Sequence, residues 1–534
     1  FVGIGGVQSV VAEEIGGAAS DDRLLEEVIV TAQKREQRLI DVPMSITAIS
    51  EERLKVKGIQ DISDLSFQVP NFTIADYGSG QQSPTIRGVS NITGTSPLVG
   101  VYLDEVALPA ITGLSFDLQT NDIQRVEVLK GPQGTLFGQG SIGGVVRFIS
   151  NEPSFESFEG ELGAMIYNTE GGDISTEYNA LVNIPVAEHN LAFRISANYK
   201  DQGGWIDTTA PSGSTLKENA NSKDLSNIKM QGLWQPIEGL SIDVMAIQYN
   251  SEAGNENTTN TSAGSSYQHF VRNGLSFPDT AIDYDYDIYS LTLKYDLGFA
   301  TLISASSQFD TTQDISAVTI FFDLASGPTF DRLNTDVYRK VNGVNQEIKL
   351  VATHDDFYWS AGVFYTDIES FRHLGTIGNY NDGEVGFFLE DVTNVENNQS
   401  IAYFADFSYD ITEQLNVEIG SRYFEDERDF NQSSNQNGDL NSATLQKTEF
   451  DKVSSKVSLS YAVTDNSTLY FRVAEGFRSG GFNPGQAITY DAESIVAYEL
   501  GGKATLLDNQ LQVEGNIYHS NYSDFQSFLF DSNL

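Results

Sequence analysis

Cysteine is absent from the 534 residues, so no disulfide framework, thiolate metal site or cysteine nucleophile is available. Basic residues are scarce. Lys and Arg number 31 against 74 Asp and Glu, and the resulting formal charge of −43 repels phosphate backbones, which excludes nucleic acid as a partner. No run of 18 apolar residues occurs, which excludes a spanning α-helix. Histidine is limited to 5 scattered residues, and His189 and His354 fall in expected short turns, so no shared histidine metal site is expected. Asp283, Asp285 and Asp287 alternate, but no glycine and terminal glutamate complete a calcium loop around them. A Gly-x-Ser-x-Gly elbow is missing as well, and no other constellation points to an enzyme.

Aromatic residues, by contrast, are plentiful: Phe 32, Tyr 24 and Trp 3, beside 47 glycines. A mean hydropathy of −0.25 with that many rings suits a transmembrane β-barrel, in which only every second strand residue must be apolar. From Phe158 onward, segments of about a dozen residues alternate in character, the period of a strand with two different faces. Leu191, Phe193, Ile195, Ala197 and Tyr199 share one face, against Arg194, Ser196, Asn198 and Lys200. Tyr289, Leu291, Leu293, Tyr295 and Leu297 repeat the pattern against Ser290, Thr292, Lys294 and Asp296. Fifteen such strands are expected, among them 226–236, 342–353, 357–370, 398–410, 414–430 and 452–463. Connections alternate between tight turns, such as Ala187–His189 and the one at Asp465, and long loops, such as Ser251–Asp285. An outer-membrane barrel sorts its connections in this way, with short periplasmic turns and long external loops. Trp205 and Trp359 are expected near strand ends, in the aromatic girdles.

The organisation divides into four parts. Residues 1–24 read as a signal-peptide remnant and an acidic spacer: Phe1–Ala12 is an apolar core ending in Val10-x-Ala12, with the initiating Met and basic region absent. Residues 25–35 contain the β-prone run Leu25–Ala32, with no obvious partner strand and therefore a template for strand addition by another chain. Residues 36–153 form a compact α+β unit, and 154–534 the barrel. An odd number of strands leaves a barrel open in lipid, so further strands are expected beyond Leu534 and the chain reads as truncated at both ends.

Several motifs resemble those of TonB-dependent outer-membrane receptors of the iron-complex or siderophore type. Glu27-Val28-Ile29-Val30-Thr31-Ala32 is similar to a TonB box. Val69-Pro70-Asn71, Ile86-Arg87-Gly88-Val89, Val101-Tyr102-Leu103-Asp104 and the run Ile123–Gly138 resemble the family's plug in order and spacing. Tyr470–Asn483 and Tyr498–Lys503 resemble its barrel. The resemblance implies an antiparallel barrel of 22 strands, about 15 of them present here, closed by an N-terminal α+β plug in the lumen. It also implies a function: active import of a scarce nutrient across the outer membrane, first of all a ferric siderophore. Cobalamin, haem or an oligosaccharide are the alternatives within that class, and a passive porin-like barrel the alternative outside it. Glu27–Ala32 would bind TonB and through it the inner-membrane proton-driven motor. No resident cofactor or metal is implied; iron would arrive as part of the substrate. A monomer in outer-membrane lipid is expected.

The residue types suggest further roles. The loop from Asp76 to Pro97, rich in Gly, Ser, Asn and Gln, has the composition of an adaptable hydrogen-bonding loop, and Tyr77, Gln81, Gln82 and Arg87 are its substrate-binding candidates. Arg125, Glu127 and Lys130, with Arg87 and Arg147, are expected to make charge pairs between plug and lumen wall. Gly131, Gly134 and Gly138 are expected where the plug backbone approaches its surroundings closely. Gly138-x-Gly140-x-x-Gly143 matches a dinucleotide fingerprint, but Val145-Val146-Arg147-Phe148-Ile149 follows where that motif needs a helix.

Overall fold

The computed structural model describes residues 28–76, 78–90, 96–108, 114–138, 140–186, 190–209, 215–254, 270–273, 281–319, 330–380, 385–436, 439–483, 489–507 and 510–527. The expected signal remnant and spacer, Glu27, Tyr77 and the turn at 187–189 lie outside these residues.

The N-terminal unit begins with β1 (Ile29–Val30) and β2 (Gln37–Arg38), which pair with each other antiparallel. β3 (Ile46–Ser50) leads into α1 (Glu51–Lys57), which carries acids in its first turn and lysines in its last, as the helix dipole favours. The helix ends at Gly58, whose φ of +66° supplies the left-handed cap, and it buries Leu54. β4 (Phe72–Asp76) and β5 (Gln82–Ile86) form a hairpin. β6 (Val99–Leu103), β7 (Val106–Leu108), β8 (Ile123–Lys130), α2 (Gly134–Phe137) and β9 (Gly144–Ser150) complete the unit. Its central sheet runs in the order β3-β8-β9-β6-β7, with β6 and β9 parallel and the other pairs antiparallel. Val126, Val128, Val146 and Phe148, all fully buried, are its apolar centre.

A second sheet of 15 strands follows, from Glu159–Asn168 to Leu511–Ser523, each antiparallel to the next in the chain. The alternation has the sense expected from the sequence. Phe193 and Tyr199 are 42% and 46% exposed on the outer face, while Arg194, Ser196 and Asn198 are buried against the plug side. A polar inside with an exposed apolar outside is the inverse of a soluble protein and matches a wall with lipid around it. Trp359 pairs with Phe407 on the neighbouring strand, beside a ladder in which Phe407 and Tyr409 stack at 6.4 Å. Trp205 is elsewhere: it packs against Gly172 just before the short strand Ile206–Thr209, not on the wall.

Strand ends near the tight turns agree with the sequence reading to within a few residues, but the other ends run further out. The expected 342–353 is Phe330–Thr353, 357–370 is Phe357–Tyr380, 398–410 is Val385–Thr412 and 452–463 is Asp439–Thr464. The expected long loop Ser251–Asp285 shrinks for the same reason, since its flanking strands reach Ala253 and start at Ala281. Beyond the lipid both faces of a strand meet water, so the apolar alternation stops while the backbone ladder continues.

Candidate functional site

At the tight-turn end of the lumen, the Val28–Ala32 segment is folded into the plug. The expectation of an extended run without a partner is corrected here: Ile29 and Val30 pair with Arg38 and Gln37, and Val30 and Ala32 are fully buried. Thr31 is the fixed point. Its N–H donates to the Glu127 carboxylate at 2.7 Å and its hydroxyl to the same oxygen at 3.2 Å. Arg147 donates to the Thr31 carbonyl and hydroxyl, and Arg125 to the hydroxyl. Both arginines also pair with Glu127, at 2.8 and 3.2 Å. The charge pairs expected between plug and wall at Arg125, Glu127 and Arg147 are thus internal to the plug, because β8 and β9 are neighbours and bring the three together around β1. Just downstream, Gln33 donates to Glu418 and Lys34 pairs with Glu347 at 2.5 Å, which ties the segment to the wall. Burial pulls the Lys34 ammonium down to about 8, against the opposing pull of Glu347.

Plug-to-wall bonds are spread around the lumen, among them Asp122 to Arg194 and Lys229, Glu105 to Lys349, and Lys503 to the Leu39 and Val42 carbonyls. Arg87, expected both as a plug-to-wall charge pair and among substrate candidates, pairs with Glu499 of the wall at 2.6 Å with both side chains about 5% exposed, and stacks over Tyr518. Glu499 also accepts from the Ser45 N–H and the Tyr470 hydroxyl. Lys130 is buried; burial lowers its pKa, against Glu514 and Glu499 nearby. The three glycines sit at close approaches. A Cβ on Gly131 would lie 2.8 Å from Arg87, one on Gly134 2.9 Å from the Glu475 carbonyl and one on Gly138 3.0 Å from Arg422.

At the opposite end, the Ser79–Gln82 apex meets the long-loop side of the wall. Ser79 bonds Ser251 at 2.9 Å, and its carbonyl accepts from Gln313 at 2.7 Å. Gln82 is buried, with its side-chain carbonyl taken by Ser115, whereas the amide nitrogen of Gln81 has no partner. The sequence reading missed the loop Leu114–Gln119, which is clamped by wall tyrosines. Tyr249 donates to Asp117 at 2.6 Å, Tyr284 to the Ser115 carbonyl at 2.7 Å, and Tyr249 and Tyr286 stack at 4.6 Å. Lys223 completes the site, 2.7 Å from Asp117. The signal was present in the Asp-Tyr alternation of residues 283–287, whose tyrosines face inward between outward carboxylates. Burial and the Asp117 carboxylate hold the neighbouring Asp61 above the usual carboxylate range.

Residues 38–145 match the TonB-dependent Receptor Plug Domain, and residues 234–534, more than half of the chain, match the TonB dependent receptor-like beta-barrel family. The chain belongs to the TonB-dependent receptors. Among the receptor's relatives, the pesticin receptor of Yersinia pestis is 24% identical over 520 residues, covering 94% of this chain and 71% of its own. The crystal structure of the ferric yersiniabactin uptake receptor from Yersinia pestis superposes with a TM-score of 0.76 at 20% identity, over 91% of this chain and 73% of that one. The unliganded ferric citrate transporter gives 0.71 at 15% identity, over 93% and 73%. These likenesses establish the fold of a plugged outer-membrane barrel, and the family is one of receptors and transporters.

Proposed function

We propose that this receptor imports a ferric chelate of the siderophore class across the outer membrane, driven through TonB by the inner-membrane proton motor. The observation that carries the reading is the Val28–Ala32 segment, held at the tight-turn end of a filled lumen by Thr31 and Glu127 while the Ser79–Gln82 apex meets the long-loop end. A plug that spans the lumen blocks passive flow, and an extended segment at its periplasmic end is what a strand-adding partner can grasp through backbone groups. In this reading 1–24 is the leader and spacer, Glu27–Ala32 binds TonB, 36–153 is the plug and 154–534 the wall. Iron arrives with the substrate, no resident cofactor is needed, no side chain has a catalytic role and the unit acts as a monomer. Substrate choice is supported by relatives whose names describe ferric yersiniabactin and ferric citrate uptake.

The test is iron uptake by cells carrying the full-length receptor, with and without TonB, beside binding by the purified protein. Uptake of a ferric chelate that needs TonB, and is lost in Val30→Pro with binding retained, supports the reading, since proline removes a backbone donor that an added strand would use. Uptake independent of TonB would indicate a passive pore. Binding of cobalamin, haem or an oligosaccharide in place of every iron complex would keep the receptor class and replace the substrate.

A further inference from the structure

On the outside of the wall, the strand Thr301–Thr319 departs from the pattern of its neighbours. Its positions Ala305, Ser307, Phe309 and Thr311 are buried toward the lumen, so Ser304, Ser306, Gln308 and Asp310 face outward. Lipid-facing positions of a barrel are ordinarily apolar, and the flanking strands keep to that rule. Leu293, Leu291 and Tyr289 stand opposite Ser304, Ser306 and Gln308 on one side, and Ile348 and Val344 stand opposite Ser304 and Gln308 on the other. Small side chains between two ridges of large ones leave a furrow. Its volume is about 530 Å3, with Tyr289, Leu291, Val344 and Tyr365 as walls and Ser306 and Gln346 as floor.

The floor is polar but closed on itself. The Ser306 hydroxyl donates to the Gln346 side-chain carbonyl at 2.5 Å, and the Gln346 amide donates to the Ser304 hydroxyl and the Glu347 carbonyl, both at 3.1 Å. An unmet polar group in hydrocarbon costs several kcal/mol, and here a methylene chain can cover the floor without stranding one. Toward the long-loop end the furrow changes character. Gln308, opposite Tyr289, has a side-chain amide without a partner among the described residues. Two residues on, about 7 Å along the strand, comes Asp310. Asp310 faces Asp287 and pairs with Lys340 at 3.2 Å, its side chain 42% and that of Lys340 40% exposed. Among the described residues Asp287 has no cation within ion-pair distance, and facing carboxylates repel.

We propose that this furrow is a lipid site selective for a glycerophospholipid with a phosphoethanolamine head. One acyl chain lies over Ser304, Ser306 and Gln346, the Gln308 amide donates to a glycerol ester carbonyl, Lys340 meets the phosphate, and Asp287 and Asp310 share the terminal ammonium. Chain, ester, phosphate and amine follow one another in the lipid in the order in which the strand offers their partners. Charge decides the head. Two carboxylates beside one lysine leave a net negative patch, which attracts a head ending in a cation and repels a purely anionic one. A primary ammonium also brings three hydrogen-bond donors, as a lysine does, whereas a quaternary amine brings none. Its binding relieves the repulsion between Asp287 and Asp310.

The experiment places the full-length receptor in phosphatidylcholine nanodiscs doped with phosphatidylethanolamine, phosphatidylglycerol or lipopolysaccharide, and reads the lipid retained per receptor by native mass spectrometry. The parent is compared with Ser306→Leu, which fills the furrow, and with Asp287→Asn and Lys340→Gln, which change exposed head contacts; gel mobility checks the folding of each. The parent is expected to retain one phosphatidylethanolamine about tenfold more tightly than phosphatidylglycerol. Lys340→Gln should weaken that lipid about threefold, Asp287→Asn should bring the two lipids to within about twofold of each other, and Ser306→Leu should remove the retained copy. Equal retention of the doped lipids, or a preference for phosphatidylglycerol or lipopolysaccharide, overturns the proposal. A phosphatidylethanolamine preference unchanged in Asp287→Asn and Lys340→Gln places the lipid elsewhere on the wall and overturns it too. A receptor dimer lost in Ser306→Leu would assign the furrow to a second copy of the chain, with the same consequence.

Discussion

Thr31 and Glu127 are 96 residues apart in sequence and joined by two hydrogen bonds, one from the backbone and one from the hydroxyl of Thr31 to a single carboxylate oxygen. Hydrogen bonds to a buried charge are worth about 1.5–3 kcal/mol each. Glu127→Ala should therefore release the Val28–Ala32 segment by about 2 kcal/mol or more, raising hydrogen exchange of its amides on the order of 30-fold. Unchanged exchange would show that β2 and the Gln33 and Lys34 anchors hold the segment without Glu127.

The Arg87–Glu499 pair is buried on both sides, so removing one partner leaves a charge that water cannot reach. Arg87→Ala is expected to cost about 3–5 kcal/mol of plug-to-wall stability in urea titrations. In a double-mutant cycle with Glu499→Ala, an interaction energy of about 1–3 kcal/mol is expected, because the two losses share one cause. Additive losses would contradict a direct bond.

Gly134 and Gly58 separate space from conformation. A Cβ at Gly134 would lie 2.9 Å from the Glu475 carbonyl and 3.2 Å from the Gly476 Cα, and backbone cannot step aside as a side chain can. Gly134→Ala should cost about 1–3 kcal/mol and loosen the plug from the wall. At Gly58 nothing lies within 4 Å but φ is +66°, so Gly58→Ala should cost about 1–2 kcal/mol through backbone strain alone and leave plug–wall protection intact.

Asp61 titrates above its ordinary range because it is buried beside Asp117. A carboxyl raised in the folded state binds its proton there at pH values where the unfolded chain has lost it. Stability from this group is greatest below the ordinary carboxylate pKa and falls as pH rises toward the raised value. Asp61→Asn should flatten that fall and stabilise the Asp61–Gln119 region at neutral pH, read from urea titrations between pH 4 and 8. A parent whose stability rises across this window would contradict the assignment to Asp61.

The sequence by itself determined the class of the molecule. Alternation of apolar and polar residues survives in any register, so the fifteen strands, their order and their tight-turn ends were legible from single segments such as Leu191–Tyr199. The plug motifs around Arg87 and Ile123–Gly138 were legible as well, because close packing in the lumen demands glycine at fixed places. Partnership was decided only by the tertiary structure. Whether Arg87 meets cargo or Glu499, whether Glu127 faces the wall or Thr31, and which Asp-Tyr side chains clamp the Asp117 loop all depend on how far the plug is rotated in its barrel. Local periodicity carries no information about that rotation. The outer halves of strands such as Phe330–Thr353 escaped detection for a related reason: water on both faces removes the pattern, and only cross-strand hydrogen bonds, which link residues distant in sequence, keep the chain extended there.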